Sequence, residues 1–238
     1  MSKIGIIAGS GVEDLFFMEG FKSVKVKNEF GAVRVKTGRV EGKEIFFINR
    51  HGPEYCSPHQ INYRANLMAL KQAGVAKILA IAAVGSMNPK IKPGEFVLLS
   101  DFIDLTRGRI EYFDPLIFTD VSFPYDLYLR SMVKKAASKL KIKLHPSVVY
   151  ICAEGPRFES RAEIKMFRKM GGDVVGMTQV PEVVLAAELG IPYVVVGVAT
   201  NYAAGVHPHK ISSEEVVLMM KDRAKPISQL MTQIIKLV

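Results

Sequence analysis

The chain has no tryptophan and two cysteines in 238 residues, and none of its apolar runs approaches the ~18–20 residues of a membrane span. Cys56 and Cys152 stand far apart and in no metal or redox spacing, so a reduced, cytoplasmic setting is expected. The opening residues, MSKIGIIAGSG, start a strand almost at once and lack an apolar h-region followed by a small-residue cleavage site, so no secretion signal is expected. Also missing are a GxSxG elbow, an HExxH helix and a paired-cysteine zinc spacing. His207-Pro208-His209 has no nearby acid or cysteine and reads as loop rather than as a metal site. Acids are comparatively scarce: 23 against 32 basic residues leave a formal charge of +9. The lysines are spread along the chain, as a solvated surface would spread them. Neither nucleic acid nor membrane is therefore expected as a partner, whereas an anionic small molecule such as phosphate suits the charge.

What is present is an alternation of strand and helix signals. KIGIIA (3–8) reads as a short buried strand ending in GSG. VKVKN, VRVKTGRV and EGKEIFFINR alternate with period two, and Glu41-Gly42 between the last two predicts a hairpin. Residues 62–74 have helical spacing ending in Gly74, and the buried strand KILAIAAVGS follows at once. EFVLLSDFIDL is a strand, 126–141 a helix, SVVYICAEG a strand, RAEIKMFRKMGG a helix and DVVGMT a strand. PEVVLAAELG is a helix opened by proline and closed by Gly190, and IPYVVVGVAT is the last strand. Ser212 with Glu215 forms a capping box for a terminal helix. The expected fold is α/β: one domain, residues 1–238, with a central mixed sheet flanked by helices.

In such sheets ligands gather where apolar strands end. Gly9-Ser10-Gly11 lacks the third glycine of a dinucleotide fingerprint; it is either an oxyanion turn or an ordinary tight one. Arg50 and His51, after the apolar IFFI, suit phosphate through the planar guanidinium fork, or else an ion pair. Thr178, between a strand and the helix led by Pro181, is either part of an anion site or a plain cap. In EGPRFES a phenylalanine beside a glutamate is poor core design but would serve as an aromatic platform with an acceptor next to it.

Taken in order, GSG, RHG, INYRAN, AAVGS, EGPRFES, GMTQVPEVVLA and VATNYAAG resemble the trimeric purine nucleoside phosphorylase family, and within it the branch that includes 5′-methylthioadenosine phosphorylases. The resemblance runs from about residue 3 into the terminal helix. It implies a homotrimer or a dimer of trimers with sites near subunit interfaces, no metal and no organic cofactor, and inorganic phosphate as co-substrate. It places phosphate on Ser10, Arg50, His51, Thr178 and the backbone N–H of Ala83. Met177 is placed against the ribose and Phe158 against the purine.

The base is read from two positions. Adenine-preferring members of the branch are expected to carry aspartates where this chain has Asn201 and Ala203. An amide at 201 can donate to N7 and O6 of a 6-oxopurine. Glu159 stands where inosine- and guanosine-cleaving members carry a glutamate, which can accept from N1–H. Adenine N1 is itself an acceptor, so an ionised Glu159 would repel it. Such polar complementarity can discriminate by ~10⁴ or more. Asn201, Glu159 and His51 are the expected catalytic residues. At the 5′ end, Val216 and Val217 align with apolar pocket residues, Tyr55 replaces a histidine of the branch and Ala82 a threonine, and His207 and His209 stand in a nearby loop. Inosine, guanosine and 5′-methylthioinosine are the expected substrates, cleaved to base and (5-methylthio)ribose 1-phosphate in purine salvage. The alternative is a 5′-methylthioadenosine phosphorylase of methionine salvage.

Overall fold

The computed structural model of the chain describes residues 3–9, 11, 12, 18–108, 111–114 and 116–238. Its first strand, β1 (Lys3–Ala8), lies buried beside β4 (Lys43–Asn49) in parallel register, Ala8 opposite Asn49. β2 (Lys22–Asn28) and β3 (Gly31–Val40) continue outward as antiparallel neighbours. The β3–β4 turn is the expected Glu41-Gly42 pair; both residues have positive φ, 50° and 75°, as the twist of a two-residue hairpin demands. At the sheet edge, β2 alternates lysines with valines and is mostly exposed, which blunts strand addition.

On the other side of β1 runs β5 (Lys77–Ser86), the KILAIAAVGS strand. β5 also pairs in parallel with β9 (Tyr193–Tyr202). From β5 the order β8 (Val174–Gly176), β7 (Leu144–Cys152), β6 (Phe96–Asp104), β9 returns to β5, so five strands close a ring from which β1, β4, β3 and β2 extend as an open arm. Two antiparallel pairings, β5–β8 and β6–β9, and three parallel ones make up the ring, giving the expected mixed sheet. β7 starts earlier than its apolar core suggests, at Leu144, because pairing with Phe96 extends it past Pro146.

Helices cover both faces, sorted by the period-two alternation of the strands. Ile78, Ala80 and Ala82 of β5 face one core with α1 (Tyr63–Gln72) and α4 (Gln179–Glu188). Leu79 and Ile81 face the other, with α2 (Leu127–Lys139) and α5 (Ser213–Leu237). A third cluster seats Ile164 and Phe167 of α3 (Arg161–Lys169) on Met87, Ile151 and Val175. Ser212 caps α5 by accepting from the Glu215 N–H at 3.2 Å.

Two irregularities position the site. β1 leaves β5 at Ala80 and β8 joins the same edge only at Gly85, so residues 81–84 have no strand neighbour on that side. Between Val84 and Gly85 the β5–β9 register skips, Val84 facing Ala199 and Gly85 facing Asn201. Thr200 is the extra residue of this bulge, which carries β9 through Asn201 instead of ending it at Thr200, and a bulge re-aims the side chains beside it.

Candidate active site

A cavity of about 320 Å³ opens at the ends of β1, β4, β5 and β9, roofed by the β7–α3 and β8–α4 connections and by the first turn of α5. Arg50, His51, Ala83 and Thr178 line one end, with Gly9. Phe158, Glu159 and Asn201 line the other. Met177 lies between, and Val216, Val217 and Tyr55 form the rim with Ser213. Ten of the eleven residues expected from the sequence thus meet around one space. The eleventh, Ser10, lies outside the described residues. His207 and His209 do not line this cavity; they stack on each other at 4.6 Å in the loop after β9. The 5′ role considered for them has no support in this geometry.

At the Arg50 end the guanidinium is 2% exposed, and Nε and Nη2 donate to the two Glu182 carboxylate oxygens at 2.6 and 2.8 Å. Nη1 donates to the Ile81 carbonyl at 3.2 Å, a group left open by the departure of β1. Of five N–H donors, three are spent and two remain. Burial opposes the charge of Arg50, but the Glu182 carboxylate and its paired hydrogen bonds outweigh that and raise its pKa above the ordinary value. The Tyr193 hydroxyl donates to Glu182 Oε1 at 2.6 Å and lies 2.7 Å from the Gln179 side-chain oxygen. Arg50 is therefore both an ion pair and a donor, and the pair is a buried one that fixes its fork.

His51 Nδ1 donates to the Cys56 carbonyl at 2.8 Å, which assigns the tautomer and leaves Nε2 on the Gly9 side. A Cβ at Gly9 would fall 3.1 Å from Arg50 Nη1 and 3.3 Å from His51 Nε2, so glycine keeps open the space these two groups face. Tyr55 stacks on the imidazole at 4.6 Å. Backbone groups two residues apart in a strand point the same way, so the Ala83 N–H shares the open edge that presents the Ile81 carbonyl. Thr178 precedes α4, whose regular turns begin at Pro181 after a break at Val180; its hydroxyl caps no helix N–H. Every donor type an oxyanion needs converges here.

The Asn201 end is different. Glu159 is 8% exposed, and its Oε1 has no hydrogen-bond partner. Burial, with a smaller repulsion from Glu163, raises its pKa above the ordinary glutamate value of 4.5, against the pull of its own backbone N–H and of Arg157. Asn201 Oδ1 accepts from the Thr200 hydroxyl at 2.8 Å, and Nδ2 donates to the Tyr202 carbonyl at 3.0 Å. Reversing the amide would set two carbonyl oxygens against each other, so this orientation is fixed. One N–H is left for a ligand. The expectation that the amide donates to both N7 and O6 is reduced to a single donor, because the Tyr202 carbonyl takes the second. Phe158 is 38% exposed beside the carboxylate, and Gly155, at φ 66°, brings the same loop against Met177, where a Cβ would lie 2.5 Å from the sulfur.

Glu182, Tyr193 and Thr200 were not singled out by sequence reasoning. Glu182 was legible: an acid within the apolar VPEVVLAA of a buried helix needs a cation, and Arg50 is the cation at a buried strand end. Thr200 was not, because a bulge has no sequence signature in an unbroken apolar strand.

The chain is similar to known proteins along nearly its whole length. The chain is 44% identical to a probable 6-oxopurine nucleoside phosphorylase of Moorella thermoacetica, over 98% of this chain and 92% of the relative. It is 43% identical to the 6-oxopurine nucleoside phosphorylase of Pyrococcus furiosus, over 100% and 94%. The structure of a methylthioadenosine phosphorylase from Schistosoma mansoni in complex with adenine superposes with a TM-score of 0.93 at 28% identity, covering 100% of this chain and 92% of that one. With residues 3–236 matching the phosphorylase superfamily model as well, the chain belongs to the phosphorylase superfamily, among its nucleoside phosphorylases.

Proposed function

We propose that this protein is a 6-oxopurine nucleoside phosphorylase, cleaving inosine, guanosine or 5′-methylthioinosine with inorganic phosphate to free base and (5-methylthio)ribose 1-phosphate. The observation that carries the base assignment is Glu159: a buried carboxyl with an unpartnered oxygen beside an amide offering one N–H. A 6-oxopurine supplies the missing donor at N1–H and an acceptor at N7 or O6. Adenine presents a lone pair at N1, and its contact with the carboxylate is repulsive. The Moorella and Pyrococcus relatives, 44% and 43% identical, carry the 6-oxopurine name, which supports the same reading.

Phosphate sits between the two remaining Arg50 N–H groups, the Thr178 hydroxyl and the Ala83 N–H. His51 Nε2 accepts from the P–OH of hydrogen phosphate, since Nδ1 already holds the ring proton. A phosphate oxygen forms a bond to C1′ as the C1′–N9 bond breaks, and its electron pair passes into the purine. The ribosyl group is cationic in the transition state and the base anionic. Catalysis is then the placing of an anion under the sugar and a hydrogen bond on the leaving base. No covalent nucleophile and no cofactor enters this scheme. The apolar Val216 and Val217 line the 5′ rim, beside Ser213 and Tyr55.

The assembly proposed is a homotrimer or dimer of trimers in the cytoplasm, serving purine salvage. Among the described residues no helix is long and apolar enough to cross a membrane. Exposed Leu116, Ile117, Phe118 and Phe123 form the kind of apolar surface that a subunit contact covers. The decisive experiment is base release from inosine, guanosine, 5′-methylthioinosine, adenosine and 5′-methylthioadenosine, each with and without phosphate. Phosphate-dependent cleavage of the 6-oxo set is expected. Preference for the adenine pair would keep the phosphorylase and overturn the base assignment.

A further inference from the structure

One concentration of cations lies outside the substrate cavity. α3 carries Arg161, Lys165 and Arg168 at i, i+4 and i+7, a single helix face. All three line a groove of about 600 Å³ whose other wall is Ala204–Pro208, and it shares no residue with the substrate cavity. At a rise of ~1.5 Å per residue the row is ~10.5 Å long. Cations so placed repel each other, and Arg161 stands in the first turn, the unfavourable end of the helix dipole for positive charge. The acid of α3 gives no relief: Glu163 accepts from the Ser160 N–H at 2.7 Å and is forked by Arg157 at 2.9 and 2.7 Å. Among the described residues no ion pair joins Arg161, Lys165 or Arg168 to an acid.

The facing wall offers one ring, that of His207, which its neighbours hold in place. Tyr202 stacks on His207 with centroids 5.7 Å apart and planes 18° from parallel, and His207 on His209 at 4.6 Å and 37°. Gly205, at φ 79°, seats this wall on the stem of Arg161; a Cβ there would meet Arg161 Cγ at 3.0 Å. A row of cations that no ion pair engages among the described residues, across a groove from the His207 ring, fits a molecule that has both a chain of phosphates and an aromatic base.

We propose that the groove is a second ligand site, binding a nucleoside triphosphate with its phosphates along Arg161, Lys165 and Arg168 and its base against His207. A small ligand is favoured over a nucleic acid strand because the cation row ends with α3 and the groove has the size of a small-molecule cleft, ~300–1,000 Å³. The test is calorimetric titration with ATP and, separately, inorganic tripolyphosphate, with the substrate cavity filled by inorganic phosphate and hypoxanthine, which lack a ribose to react. Both probes are expected to bind at one site per chain. Lys165→Glu with Arg168→Glu should weaken both by at least about tenfold, these being charge-assisted contacts, with an unchanged unfolding midpoint. His207→Ala should weaken ATP several-fold and leave tripolyphosphate as it was. Equal affinity in the charge-reversed protein, or no binding once the substrate cavity is filled, would overturn the site. A single-stranded oligonucleotide that displaces ATP would make the face a nucleic-acid surface instead. The readout is binding alone, so it stands apart from which nucleoside the enzyme cleaves.

Discussion

The two ends of the substrate cavity solve opposite problems. At the phosphate end the charged group is already paired: Arg50 is gripped by Glu182, and Glu182 by Tyr193, before any ligand arrives. At the base end the charged group is left wanting, with Glu159 Oε1 buried and alone. A guanidinium has five donors and can spend three on its own protein while keeping two for an anion. A carboxylate meant to read a single N–H must keep one oxygen open for it, and Oε1 is that oxygen. The first arrangement supports the fold; the second strains it until substrate binds.

The largest expected effect breaks the paired end. Glu182→Ala strands a buried charge, a change that typically costs ~3–5 kcal/mol. Denaturant unfolding should show that loss, together with a raised KM for phosphate. A cost under ~1 kcal/mol would mean that the pair does not hold Arg50. Next comes exchange of the base end. Asn201→Asp with Glu159→Ser removes an acceptor for N1–H and restores an acid at 201. Hydrogen bonds left unmet cost ~1–3 kcal/mol each, so the adenosine-to-inosine ratio of kcat/KM should rise by roughly 10²-fold; an unmoved ratio would remove Glu159 and Asn201 from base recognition.

The pH dependence sharpens the contrast. An ionised Glu159 is the stronger acceptor for N1–H, a protonated one gains a donor that suits adenine N1, and burial raises its pKa above 4.5. The inosine-to-adenosine ratio, in which the ionisation of phosphate cancels, should therefore fall as pH drops through that raised pKa. The fall should be absent in Glu159→Gln. Smallest is the effect on stability. The folded state holds the Glu159 proton more tightly than the unfolded chain does, so the wild type loses stability as pH rises from 4.5 through the raised folded value. Glu159→Gln should be more stable than wild type above that window and no more stable below it. A constant difference at all pH values would show that the carboxyl is not strained in the free enzyme.

The sequence was most readable where side-chain pattern and backbone geometry coincide. Strand β5 and the Glu41-Gly42 turn follow from period-two alternation and from residues that accept positive φ. The candidate site residues were legible as motif members, and they do converge. What they do for one another was not. That Arg50 answers Glu182 across 132 positions is a tertiary fact, and that Asn201 has a single N–H to give depends on the Tyr202 carbonyl beside it. Charge read by composition carries no helical register. Arg161, Lys165 and Arg168, three basic residues among many, share one face of α3 only because of its helical spacing.

The closure of β5, β8, β7, β6 and β9 into a ring has a consequence for traffic. The strands of the base end belong to this hydrogen-bonded loop of sheet, and β1 and β4, which lead into Gly9, Arg50 and His51, are hydrogen-bonded onto it through β5, so no seam divides the sheet between the two ends. Entry and exit fall to the strips pinned from one side only, the stretch from 153 to 160 and the opening turn of α5. Such a catalyst works as a shutter and not as a clamshell.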